Sequence, residues 1–160
     1  MPKSVLSKNK KPAFIVSFIT AAAISLCFAI GMTDQDWLSW GNKCLSASYD
    51  PSADPKLKKW EVLLTDDSFI RLRKTYQNNK QEYFSFQLQK LDSISYTGDA
   101  TTGTLKLKAK ADDIIVQTYN DRQGNIDSMA NVLNIPLKNM EPKRLDSLEE
   151  ALNYFKMKNL

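Results

Sequence analysis

Histidine is absent from all 160 residues. That removes the commonest general acid/base, the usual zinc and copper ligand, and histidine-activated Ser or Cys nucleophiles. Cysteine is almost absent: Cys27 sits inside an apolar run, which leaves Cys44 with no partner for an intramolecular disulfide in the rest of the chain. Cys44 therefore reads as a free thiol. Acidic residues are missing from the first 32 positions, where Lys3, Lys8, Lys10 and Lys11 lie. Those four lysines account for the whole basic excess, 22 Lys and Arg against 18 Asp and Glu. Without them the count is 18 against 18. A nucleic-acid-binding domain concentrates positive charge to replace phosphate counterions, and this chain has none to spare. No nucleic-acid partner is expected.

What is present begins with an uncharged run of 20 residues, Ala13 to Met32, directly after the lysines. At 1.5 Å per residue a helix of that length covers about 30 Å, the thickness of a bilayer core. A basic segment before an apolar run keeps the amino terminus inside and delivers the remainder across a membrane, into the periplasm if the cell is Gram-negative. Three fates fit the run. A cleavable signal peptide would use Ala29-Ile30-Gly31 and leave a soluble periplasmic or secreted domain. Acylation at Cys27 would make a lipoprotein, although Leu26 is large for a lipobox and the chain stays apolar through Ile30. The length, and the indoles of Trp37 and Trp40 placed for the membrane–water interface, favour a retained single-pass anchor. The competing reading of the two tryptophans is core packing of a short amphipathic helix.

The division expected from the sequence is a basic cytoplasmic segment over 1–12 and a transmembrane signal-anchor over 13–32. An interfacial segment and linker then cover 33–56, ahead of an extracytoplasmic β-rich domain over 57–160. Gly41–Lys56 is rich in Gly, Ser, Ala, Asp and Pro without apolar periodicity, and so reads as tether.

Period-two alternation dominates from Leu57. Trp60, Val62 and Leu64 share one face of a first strand. Ile70 and Leu72 alternate with Arg71 and Arg73 in a second, and Phe84, Phe86 and Leu88 mark a third. Leu91, Ile94 and Tyr96 suggest a fourth; Leu105, Leu107 and Ala109 oppose Lys106, Lys108 and Lys110 in a fifth. Ile114–Tyr119 is β-branched and apolar, and one last strand is expected around Val132–Leu137. Pro142 opens a helix whose Leu145, Leu148, Leu152 and Phe155 form one stripe, better suited to covering its own sheet than to docking a partner helix. The expected fold is mainly β (α+β): an antiparallel β-sandwich or partly open barrel of six or seven strands with one carboxy-terminal amphipathic helix. This order of elements over 57–158 is similar to the pleckstrin-homology-like arrangement. The resemblance is one of order alone and implies no site residues.

Chemical constellations are few. Asp121–Asp127 has oxygen ligands and a glycine, but Val132 occupies the twelfth position where a calcium loop needs a bidentate Glu. Asp66-Asp67 and Asp112-Asp113 fall between strands, where Asp is a favoured turn residue and adjacent side chains diverge. No metal, cofactor or catalytic residue is expected, and the chain reads as a non-enzyme. Arg71, Arg73, Lys106, Lys108 and Lys110 form the candidate basic face, for anionic head groups or an acidic partner; the alternative is a solvated face whose lysines discourage edge pairing. The leading function is a membrane-anchored interaction module with a protein partner, for example as an accessory subunit of an envelope complex. A β-domain binding a lipid or small apolar ligand is the alternative.

Overall fold

The computed structural model describes residues 31–158. The anchor, cleavage and acylation readings concern residues 13–32, of which 13–30 lie outside them. Within the described residues no helix is long and apolar enough to cross a membrane.

The first element is a helix that the sequence reading missed. Helix α1 (Asp34–Ser48) carries Asp34 and Asp36 in its first turn, where the helix dipole favours negative charge. Its buried residues Gly41, Cys44, Leu45 and Ser48 recur at i, i+3, i+4 and i+7, one helical stripe. Tyr49 follows, almost completely enclosed and stacked on Trp60 at 4.4 Å between ring centroids. The tether expected over 41–56 is therefore corrected: through Asp50 it is core-forming chain, and one compact unit begins at Asp34 rather than Leu57. A short 3-10 turn, Pro51–Ala53, completes the segment. The Asp50 carboxylate accepts bonds from the Ser52 amide (3.0 Å) and hydroxyl (2.6 Å), which hold its pKa below the usual range.

Eight strands follow, where six or seven are expected from the sequence. A five-stranded antiparallel sheet has the order β1 (Leu57–Leu64), β2 (Phe69–Tyr76), β3 (Gln81–Gln87), β6 (Ile114–Tyr119), β7 (Asp127–Ala130). A three-stranded antiparallel sheet has the order β4 (Leu91–Gly98), β5 (Thr102–Ala109), β8 (Val132–Lys138). Only Asn131 separates β7 from β8, and its carbonyl accepts from the Ala109 amide at 2.8 Å where the chain passes between sheets. Asparagines at 79, 120 and 139 take positive φ in turns, a conformation their short polar side chain tolerates better than most.

The sandwich interior is filled by Leu72, Phe86, Leu107, Ile135 and their neighbours, all fully buried. Helix α2 (Pro142–Met157) has Pro at its first turn and lays Leu148, Ala151, Leu152 and Phe155 on this core, as the stripe in the sequence requires. Its last turn meets the first turn of α1. Lys158 pairs with Asp34 at 2.9 Å, Tyr154 donates its hydroxyl proton to Asp34, and Trp37 stacks on Tyr154 at 5.8 Å.

Helix α1 also covers one sheet edge. Asn42 donates from Nδ2 to the Leu64 carbonyl (2.8 Å) and accepts from the Leu64 amide (2.7 Å), standing in for a neighbouring strand on the free side of β1. Asn42→Ala would leave both part-buried groups without a partner. The expected loss is about 1–3 kcal/mol, read as a lower denaturation midpoint at unchanged slope in urea.

Candidate functional site

Alternation along β2 turns Ile70 and Leu72 into the core and Arg71 and Arg73 outward. Alternation along β5 does the same for Leu105 and Leu107 against Lys106 and Lys108. The two pairs belong to different sheets whose inner faces share one core, so they point away from each other. Lys110 lies beyond the end of β5, in the connection to β6. The five basic residues named from the sequence are thus brought together as Arg71 with Arg73 and as Lys106 with Lys108, not as one surface. The lysines do not guard a free edge either, because β5 is the central strand of its sheet. Lys108 is engaged with Asp92 at 3.4 Å.

The strand register identifies the company that the arginines keep. One row across the outer face of the five-stranded sheet reads Leu63, Arg71, Ser85, Ile115, Met129. The next reads Glu61, Arg73, Tyr83, Gln117, Asp127. The Arg71 guanidinium lies 5.5 Å from the Phe69 ring centroid and that of Arg73 lies 5.7 Å from Tyr83. Stacking of this kind orders long side chains against the sheet before any partner arrives. Glu61, Leu63, Arg71, Arg73 and Tyr83 surround a shallow cleft of about 100 Å³. Leu63, Tyr119 and Met129 are 38%, 46% and 52% exposed, so the apolar members are open to solvent as well.

Sequence reasoning named the two arginines and missed Leu63, Phe69, Tyr83, Ile115 and Met129. A signal existed. In β1, β2, β3 and β6 the phase opposite to the core carries a large apolar residue, and reading only the inward phase passes over it.

Trp37 and Trp40, the proposed interface residues, both lie on α1 and are half-buried against the core. Trp37 lines an apolar groove of about 480 Å³ with Tyr154 and Met157 between the two helices.

A polar network closes one end of the five-stranded sheet. The Tyr76 hydroxyl donates to Glu82 at 2.7 Å, and Lys80 bridges Glu82 (3.2 Å) and Asp121 (2.9 Å). Burial, then the hydrogen bond to Glu82, raises the Tyr76 pKa. The Tyr49 hydroxyl is pushed up to about 12, by burial first and then by Asp54. The Lys80 ammonium is held above its ordinary value by Asp121 and then Glu82. All three groups are protonated at neutral pH in any case; the shifts carry that state further into alkaline pH. Tyr76 and Lys80, with their acidic partners, clasp the β2–β3 turn to the chain after β6. The tandem aspartates of the sequence stay in connections: Asp66 and Asp67 in the β1–β2 turn, Asp112 and Asp113 between β5 and β6. Among the described residues no group of three or more His, Cys, Asp or Glu side chains is placed to hold a metal ion.

Compared with protein-family models, curated proteins and solved structures, the chain matches none.

Proposed function

We propose that this chain is a membrane-anchored, extracytoplasmic interaction module serving as an accessory subunit of a cell-envelope protein complex. In this reading residues 13–32 are retained as the anchor. The sandwich, pleckstrin-homology-like in its order of strands and closing helix, presents the outer face of its five-stranded sheet to a protein. The observation that carries the reading is the composition of that face. Two stacked arginines lie among Leu63, Phe69, Tyr83, Ile115 and Met129, with Glu61 and Asp127 beside them. Arginine, aromatics and methionine are the residues enriched at the centres of protein interfaces, and hot spots are built from them. A surface held only for solubility would carry lysine and glutamate there instead.

The test is purification of the full chain from alkaline-washed membranes in mild detergent. A stoichiometric protein is expected to remain with the unaltered chain and with Lys106→Glu, which changes the other sheet. Arg73→Glu should weaken retention at least about 30-fold, the scale of a hot-spot loss near 2 kcal/mol. Loss with both variants, or a chain that is solitary in every detergent, would count against the reading. Intact mass of the same sample reports the anchor: residues 1–31 are retained if it is correct, and missing if the run is cleaved.

A second reading, binding of a lipid or small apolar ligand, is favoured by the groove of Trp37, Tyr154 and Met157, whose lining is mostly apolar. It predicts a small molecule retained in native mass spectrometry and displaced by Met157→Lys.

A further inference from the structure

The four edges of the two sheets are not treated alike. The β1 edge is closed at its last residue, Leu64, by Asn42, and carries Lys58 and Lys59 near its start. The β8 edge is covered where Tyr49 bridges Leu137 and the Asp50 amide donates to the Pro136 carbonyl at 2.9 Å, and Pro136 has no amide to offer. The β7 edge is only four residues long. The β4 edge has eight residues and, among the described residues, pairs with β5 alone. Its one charge, Asp92, sits at the register shift between Leu91 and Ser93 at the start of the strand and is paired with Lys108; from Ser93 to Thr97 the edge carries no Lys, no Pro and no charge of any kind. Those are the devices by which a monomer blunts an edge against further pairing.

We infer that β4 is a self-association strand, pairing antiparallel with β4 of a second copy about a two-fold axis through Ser95. The sequence of the edge argues for this occupant over a foreign strand, because Ser93-Ile94-Ser95-Tyr96-Thr97 is chemically palindromic about its centre. In that register Ile94 faces the partner's Tyr96 on the core side, and Tyr96 faces the partner's Ile94. Both side chains are now only half-buried, and aromatic with β-branched is a favourable cross-strand pair. On the solvent side Ser93 faces the partner's Thr97 and Ser95 faces its own copy, all hydroxyl-bearing and all exposed. An axis at a residue serves either hydrogen-bonding phase of the strand, so no slip is needed. Lys106 lies beside Ser95 on β5. Its counterpart in the second copy would stand three strand spacings away, about 14 Å, beyond the reach of strong repulsion at physiological salt. Two three-stranded sheets would become one of six strands, using a surface separate from the arginine face.

The test uses the full chain in mild detergent. Ser95→Cys places two thiols directly opposite each other, within the Cα separation a disulfide requires. Mild oxidation should convert most of that variant to covalent dimer. The unaltered chain, with the same Cys27 and Cys44, and Ser128→Cys on β7 should stay largely uncrosslinked. Ser95→Lys sets two ammonium groups face to face at the axis, and should raise the dimer dissociation constant at least about tenfold, while its melting curve at concentrations below that constant, where the chain is monomeric, matches that of the unaltered chain. If that variant fails to fold, the cross-link alone decides. Absence of extra cross-linking at position 95, a dimer that survives Ser95→Lys intact, or capture of a different protein by the Ser95→Cys variant would each overturn the assignment.

Discussion

A chain beginning at Leu57 is expected not to fold, whereas one beginning at Asp34 folds cooperatively. Removing residues 34–56 takes Cys44, Leu45 and Tyr49 out of the core, where Leu45 is completely enclosed and Tyr49 all but so. Burial of side chains the size of leucine or larger is worth about 1.5–3 kcal/mol each. The same truncation strips Asn42 from the β1 edge and Asp50 from the β8 edge, leaving backbone groups unpaired in both sheets. Against a total stability of about 5–15 kcal/mol for a domain, those losses together exhaust what is there. Far-ultraviolet circular dichroism and a thermal melt of the two chains give the comparison. A sharp melt from the shorter chain would show that α1 is an accessory to the fold.

The second large effect is expected at the β4–β5 hairpin. Gly98 and Gly103 face each other across it, and the Tyr96 side chain lies over Gly103. A Cβ on Gly103 would come within 2.4 Å of the Tyr96 ring and 2.8 Å of the Thr97 carbonyl oxygen. At Gly98 the φ of +140° already favours glycine, and a Cβ would meet the Gly103 backbone at 2.4 Å. Gly103→Val should cost about 3 kcal/mol, the upper range of overpacking penalties. Part of that cost should disappear when Tyr96 is also changed to Ser, because the ring can be removed while the Thr97 carbonyl cannot. A double-mutant cycle on denaturation midpoints measures the difference. Equal penalties with and without the ring would mean that the backbone contact alone sets the cost.

Much of the β architecture is legible in the sequence because alternation is a local signal. Val62 and Leu64, Ile70 and Leu72, Leu105 and Leu107 all point inward, and Leu148, Leu152 and Phe155 lie on the core as their helical spacing requires. Helix α1 is harder to see because its buried stripe is built from Gly41, Cys44 and Ser48 around a single large Leu45. Small residues are there for close approach: a Cβ on Gly41 would stand 3.1 Å from a Leu64 methyl group. In composition such a stripe is indistinguishable from a Gly/Ser-rich tether. Strand β7 escapes for another reason, since Asp127, Ser128 and Met129 are all exposed and no alternation marks them. The basic face illustrates a third limit. That Arg71 and Lys106 point outward follows from each strand alone, but which sheet each strand joins depends on pairing between distant segments.

The junction of Asp34, Trp37, Tyr154 and Lys158 has a mechanical meaning. It brings the first and last turns of the folded unit to one pole, so tension applied to the chain ahead of residue 34 enters beside the point where α2 ends. The load is met first by one ion pair, one hydrogen bond and one ring stack, before any strand of either sheet is sheared. Pulling from the amino-terminal side should therefore detach α1 at low force and uncover the Leu64 backbone on β1, converting a covered edge into an open one.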